Sequence, residues 1–152
     1  MSMNPKPLIA AGTLTGIGMG GFIDGILFHQ ILQLHNMLSA RLAVDTLENM
    51  KINMVWDGLF HLLTWTTTAV GIAMLWKAGK NPNVPWSGKT FLGGGILGWG
   101  IFNLVEGIID HHLLHIHHVV ERLGVSVYDY IFLGSGALFI LFGISLIRSG
   151  NR

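Results

Sequence analysis

The residues of this chain that could do chemistry are histidines and carboxylates set inside otherwise apolar sequence, and they recur in order. Asp24-Gly25-Ile26-Leu27-Phe28-His29, ending at His35-Asn36, aligns without a gap on Glu106-Gly107-Ile108-Ile109-Asp110-His111, ending at His117-His118. Each copy reads acid, glycine, two aliphatics, a variable residue, histidine, and a second histidine six residues further on. Imidazole and carboxylate are ligands accepted by zinc, copper and iron alike, so the donor types alone do not choose a metal. With no cysteine in the chain, thiolate ligation is excluded, and the absence of clustered methionine disfavours a soft Cu(I) site.

Two further patterns belong to the same chemistry. His111, His112, His115, His117 and His118 crowd eight residues, and spacings of three and four put imidazoles on a shared helical face. Asp57 and His61 are one turn apart, which suits two ligands of one ion or a carboxylate that orients a ligating histidine. Each pair taken alone also fits a plain interhelical hydrogen bond, and the histidine-rich end also fits a hydrated helix terminus. Convergence of five intramembrane acids with several histidines is what favours a metal or proton-handling site.

The elements that must position these residues are membrane helices. Hydrophobic residues make up 51% of the chain and charged ones 11%, with mean hydropathy +0.55, a composition that belongs to a bilayer rather than to water. Four stretches can cross roughly 30 Å of hydrocarbon: Leu8 to Leu34, Ile52 to Trp76, Phe91 to Leu114, and Val125 to Ile147. The first is too long for a signal peptide, lacks a small-residue cleavage site and carries the first copy of the repeat. The expected fold is an all-α integral membrane protein, a four-transmembrane-helix bundle built from a duplicated helical hairpin. Residues 1–152 form a single membrane domain, with hairpin repeat 1 over 8–76, a proline-containing linker over 77–89 and hairpin repeat 2 over 90–148. A parallel repeat of this kind places its site between the halves.

The alignment continues upstream, Gly12, Gly16 and Gly18 falling on Gly94, Gly98 and Gly100, and Val55-Trp56-Asp57 resembles Val127-Tyr128-Asp129. Glycines four apart let helices approach closely. Asn81-Pro82-Asn83-Val84-Pro85 turns the chain between hairpins. Ser39 to Lys51 reads as a solvated connector or a short helix on the membrane surface.

Orientation follows from the cations. Lys6, Lys77, Lys80, Lys89, Arg148 and Arg152 lie at the two termini and the middle loop without any acid, which puts both termini in the cytoplasm. Asp24, Asp57, Glu106, Asp110 and Asp129 then converge on the outer side. With continuous helices, Asn103, Glu106, Asp110 and His117 share one face and His111, His115 and His118 another, and Asp24 and His35 stand about 16 Å apart along the axis. The expected layout is an inner layer of Asp24, His61 and Glu106, a layer of His29, Asp57, Asp110, His111 and Asp129 above it, and a rim of His35, His112, His115, His117 and His118. The metal ligands expected on this basis are His29, His61, His111, Asp24, Asp57 and Glu106. His35, Asn103, Asp110, His112, His115, His117, His118 and Asp129 are expected at the rim or behind the ligands.

Gly21 to Gln30, Asp57-Gly58-Leu59-Phe60-His61 and Gly98 to His112 resemble the bacterial membrane family catalogued as domain of unknown function 2243, and the resemblance covers most of the chain. It implies a four-helix, multi-pass protein of the bacterial inner membrane, sometimes encoded near a cytochrome oxidase assembly factor, and supplies no activity.

Three functions remain open on these residues. One is a metalloprotein with iron, zinc or copper, redox or hydrolytic, acting on a small or lipid-like substrate. The second is a metal-delivery protein serving a respiratory oxidase or its assembly factors, with haem held by His29 and His111 as a less favoured variant. The third is a proton or ion transporter using the intramembrane carboxylates, against which the inner helix halves lack a polar path. Partners are the lipid bilayer and, as a further option, a second copy of the chain. No nucleic-acid surface, phosphate loop or serine nucleophile is visible.

Overall fold

In a computed structural model, in which residues 3–150 are described, the chain forms four long helices and no strand among those residues. Helix α1 spans Lys6–Asp24 and runs on as a π-helix, Gly25–Ile31; α2 spans Leu47–Gly79; α3 spans Gly88–Glu106 and also runs on as a π-helix, Gly107–Leu113; α4 spans Val127–Gly150. All four are long and apolar enough to cross a membrane. The termini are set by local chemistry. The hydroxyl of Thr46 accepts the Asn49 amide and opens α2, and that of Ser87 opens α3. These caps start both helices earlier than the apolar runs suggest. Ser39 to Lys51 forms no surface helix of its own, because turns fill it up to Thr46 and α2 takes the rest.

Helices α1 and α3 form the central pair; α2 packs on α1 and α4 on α3. Burial agrees: 44% and 39% of the most apolar windows of α1 and α3 are buried, against 11% for α2 and α4, whose apolar side chains face outward. The central contact is backbone against backbone. A Cβ on Gly16 would run into the carbonyl of Gly95, and one on Gly98 into that of Thr13, so only glycine permits this approach.

The interior is divided along its length. Near the linker, Leu8, Ala78 and Val84 make a small apolar cluster. At the opposite end the buried side chains are polar: Asp24, His29, His35, Asp57, Asn103, Glu106, His111, His117, His118 and Asp129 are all under a tenth exposed. Burying such groups is costly unless they are paired.

Candidate metal centre

The two π-helices account for how these groups meet. In an α-helix, residues five apart point about 140° away from each other. In a π-helix, bonded from i to i+5, the fifth residue returns above the first. His29 thereby comes back over Asp24, with Nε2 3.1 Å from Oδ2. The ladder shows the wide winding in both places, Leu32 N–H donating to the Leu27 carbonyl at 2.8 Å and Leu114 N–H to that of Ile109 at 2.7 Å.

Beyond each π-helix the chain doubles back. Gln33 (φ 49°) and His115 (φ 48°) adopt the left-handed conformation, the only non-glycine residues among those described to do so. The reversal carries His35 and His117 inward. His35 Nε2 lies 3.9 Å from Asp24 Oδ2, and His117 Nε2 3.5 Å from Glu106 Oε1. This corrects the 16 Å separation expected of a continuous helix.

Six side chains therefore share one buried space: Asp24, His29 and His35 from the first half, Glu106, His111 and His117 from the second. One donor atom from each of His29, His35 and His117 lies within 4.8 Å of the others, as it does for Glu106, His111 and His117 and for Asp24, His29 and Glu106. The ring contacts repeat across the halves, His29 on His35 at 4.4 Å and His111 on His117 at 4.9 Å.

What holds the rings decides which nitrogen is free. His35 Nδ1 is 3.1 Å from the Val119 carbonyl and His117 Nδ1 is 3.1 Å from that of Met37. A carbonyl only accepts, so Nδ1 carries the proton and Nε2 presents a lone pair. His29 Nδ1 is held by Asp57 Oδ1 at 2.9 Å. His111 Nδ1 sits 3.2 Å from Asp129 Oδ1, without the alignment of a hydrogen bond. The Nε2 atoms of these four histidines, Asp24 Oδ2 and both oxygens of Glu106 have no hydrogen-bond partner among the described residues. Imidazole lone pairs facing carboxylate oxygens repel unless a cation or an extra proton stands between them. His117, beyond the spanning helices, has its pKa held well below the usual histidine value by burial and then by neighbouring His35 and His111, so it is neutral, the form that ligates.

Asp57 and Asp129 stand behind the histidines rather than among the ligands. Asp57 accepts Asn36 Nδ2 at 2.7 Å and Met37 N–H at 2.8 Å; Asp129 accepts Val119 N–H at 3.1 Å and Ser126 N–H at 2.8 Å. Asp57 thus fixes His29 and the returning segment of chain together, whereas Asp129 holds the returning segment and lies beside His111 and His118 without a hydrogen bond to either ring. His61 is outside the cluster. Its Nδ1 donates to the Asp57 carbonyl of its own helix at 2.7 Å, and its ring packs near Phe22 and Phe60. The inner layer expected from continuous helices therefore lacks His61 and gains His35 and His117.

Of the other rim candidates, His118 stays buried 3.6 Å from Asp129, and His112 donates to the Gly107 carbonyl beside Tyr130. His115 is exposed, Asp110 half-buried, and neither joins a ligand group. Asn103 donates from Nδ2 to Ser135 Oγ at 2.9 Å. The Met37 and Val119 main chains, which anchor the cluster, were invisible in the sequence because any residue supplies an amide and a carbonyl.

Fold and site together define a four-helix, multi-pass membrane protein with a buried histidine–carboxylate cluster at one end. The chain belongs to the family described as a predicted membrane protein, DUF2243, whose model matches residues 11–150. Among curated proteins and among solved structures, none matches it.

Proposed function

We propose that this is a membrane metalloprotein whose centre is built by Asp24, His29 and His35 with Glu106, His111 and His117. The observation that carries the reading is that all four ligand-facing Nε2 atoms and the facing carboxylate oxygens are buried without hydrogen-bond partners, while the far nitrogens of His29, His35 and His117 are anchored. Imidazoles held from behind by carboxylates and carbonyls are the usual surroundings of metal-ligating histidine.

Glu106, His111 and His117 form a two-histidine, one-carboxylate set, the donor arrangement of non-haem iron sites. Iron is therefore the first metal to seek, with redox chemistry on a small or lipid-like substrate as the activity; zinc with a hydrolytic role and copper are the competing outcomes. A bound ion would supply a Lewis acid or an electron-transfer centre among buried side chains. A haem held by His29 and His111 is less favoured, because the His35 and His117 rings pack against those two histidines at 4.4 and 4.9 Å.

Matching features in the two halves, His35 facing Asp24 and His117 facing Glu106 after left-handed turns at Gln33 and His115, support an origin in a duplicated hairpin. The acid-free cationic termini and middle loop support cytoplasmic ends, with the centre toward the outer side of the membrane. A delivery role to a respiratory oxidase would ask for an accessible collecting site, and a transporter for a polar path past Leu8, Ala78 and Val84; the buried cup favours a retained ion over either.

Inductively coupled plasma mass spectrometry on untagged protein, purified in mild detergent without chelator, tests the reading. Near-stoichiometric iron, zinc or copper supports it and selects the chemistry. Protein that stays metal-free after reconstitution with each ion would overturn it and leave a proton-sharing network.

A further inference from the structure

The two halves differ beside the centre. At the offset that pairs Asp24 with Glu106, Phe102 corresponds to Gly20 and Asn103 to Gly21. On the first side Phe102 meets Phe60, with ring centroids 6.2 Å apart, and Gly21 is covered by Thr64 and Phe60, so no room is left there. On the other side, between α1, α3 and α4, a cavity of about 550 Å³ remains open. Gly20 helps keep it so, since a Cβ there would stand 2.8 Å from the Trp99 ring.

The cavity has the features of a binding site for one class of molecule. Phe28, Trp99, Tyr128, Phe132 and Phe139 give it aromatic walls, which favour a flat ring. Tyr128 and Ile131, which also line it, are 47% and 60% exposed within a spanning helix, so the cavity communicates with the surface that lipid covers. Its polar lining includes Asn103 and Ser135. Ser135 spends its one proton on the Phe132 carbonyl at 2.6 Å, so Asn103 must donate to Ser135, which leaves Asn103 Oδ1 as an acceptor without a partner. Asn103 is 4% exposed, and an orphaned acceptor at that depth is costly. Asp24 is a wall of this cavity and a member of the ligand cluster.

We propose that the cavity binds a bilayer-soluble amphiphile bearing a hydroxylated aromatic ring, that its hydroxyl donates to Asn103 Oδ1, and that such molecules are the substrate class of the adjacent centre. The binding stands on the cavity alone; the assignment as substrate rests on the metal reading above. A lipid phosphate would instead use Arg122, which also lines the cavity, and would set its charge near the Asp24 carboxylate.

The test is quenching of tryptophan fluorescence by a brominated long-chain alkylphenol, with its methyl ether as control, in phosphatidylcholine nanodiscs. Saturable quenching is expected, lost in Trp99→Phe, with the ether needing roughly fivefold to tenfold more ligand. Asn103→Leu should erase that preference. If this variant does not fold, the phenol-to-ether ratio on wild-type protein decides alone. Equal quenching by phenol and ether, saturable quenching that survives in Trp99→Phe, or displacement by phosphatidylglycerol that is lost in Arg122→Gln would each overturn the proposal.

Metal-free protein should bind the phenol equally, so a failed metal reading leaves this result intact. In cobalt-loaded protein the phenol should shift the visible spectrum. Saturable quenching with an unmoved cobalt spectrum would overturn the substrate assignment.

Discussion

His35 and His117 lie face to face, their ring centroids 4.6 Å apart and their planes 4° from parallel, and each is tied by Nδ1 to a main-chain carbonyl of the other half. The two rings therefore close the cluster and join the halves at once. Truncating either should remove a ligand and open the cross-connection. His35→Ala and His117→Ala are each expected to lose most bound metal, and the double variant to lose little more than either, because both act in one unit. His61→Ala, whose ring bonds within its own helix, should keep wild-type metal content. Elemental analysis of the four proteins checks this, and equal loss from His61→Ala would return that residue to the centre.

Asp57 acts through His29, to which it is hydrogen-bonded, and Asp129 lies beside His111 without such a bond. Asp57→Asn should weaken metal affinity by about 10–100-fold while leaving the site able to fill at excess metal, the usual consequence of losing a carboxylate behind a ligating imidazole. Asp129→Asn should cost less, since its contact to His111 is longer, 3.2 Å against 2.9 Å, and poorly aligned. Competition against a chelator of known affinity separates the two. An unchanged affinity in Asp57→Asn would mean that its role is only to hold Met37 and Asn36.

Both Glu106 oxygens are buried without a partner, so without metal this side chain burdens the fold. Glu106→Leu is expected to raise the thermal midpoint of metal-free protein, by an amount corresponding to about 1–3 kcal/mol for an unsatisfied buried polar group. Added metal should raise the midpoint of wild-type protein and not that of the variant; at 100 times Kd, one bound ion contributes about 2.7 kcal/mol. Differential scanning fluorimetry reads all four midpoints. A variant less stable than metal-free wild type would show that the 3.5 Å approach of Glu106 Oε1 to His117 Nε2 already stabilises the metal-free fold.

Much of this was legible in the sequence and some was not, for identifiable reasons. Apolar runs and the proline-bearing linker marked the four helices, and the paired spacing of acid, histidine and histidine singled out all six residues that meet, four as ligands, with His35 and His117 misplaced at the rim. The misplacement came from projecting a single helical period through Gly25–Ile31 and Gly107–Leu113, where the winding is π. Under 3.6 residues per turn, Asp24 and His29 sit on different faces, and His61 would fill the gap. The signal that could have corrected this was the repeat itself: Asp24, His29 and His35 align on Glu106, His111 and His117, whereas His61 aligns on nothing that ligates.

The backbone reversal gives a prediction that separates ligand from turn. His115 belongs to the histidine-rich segment, yet its side chain is exposed and its φ is 48°, matching Gln33 at 49° in the other half. If its part is to turn the chain so that His117 points inward, the imidazole is dispensable and the backbone conformation is not. His115→Gly should keep metal content and stability, because glycine adopts positive φ without steric cost. His115→Val should lower stability by about 1–2 kcal/mol, the cost of the left-handed conformation for a residue with a branched Cβ, and should loosen metal through the displaced His117. Thermal midpoints and metal content of the pair distinguish the roles. Loss of metal from the glycine variant with its midpoint unchanged would show that the His115 ring itself ligates.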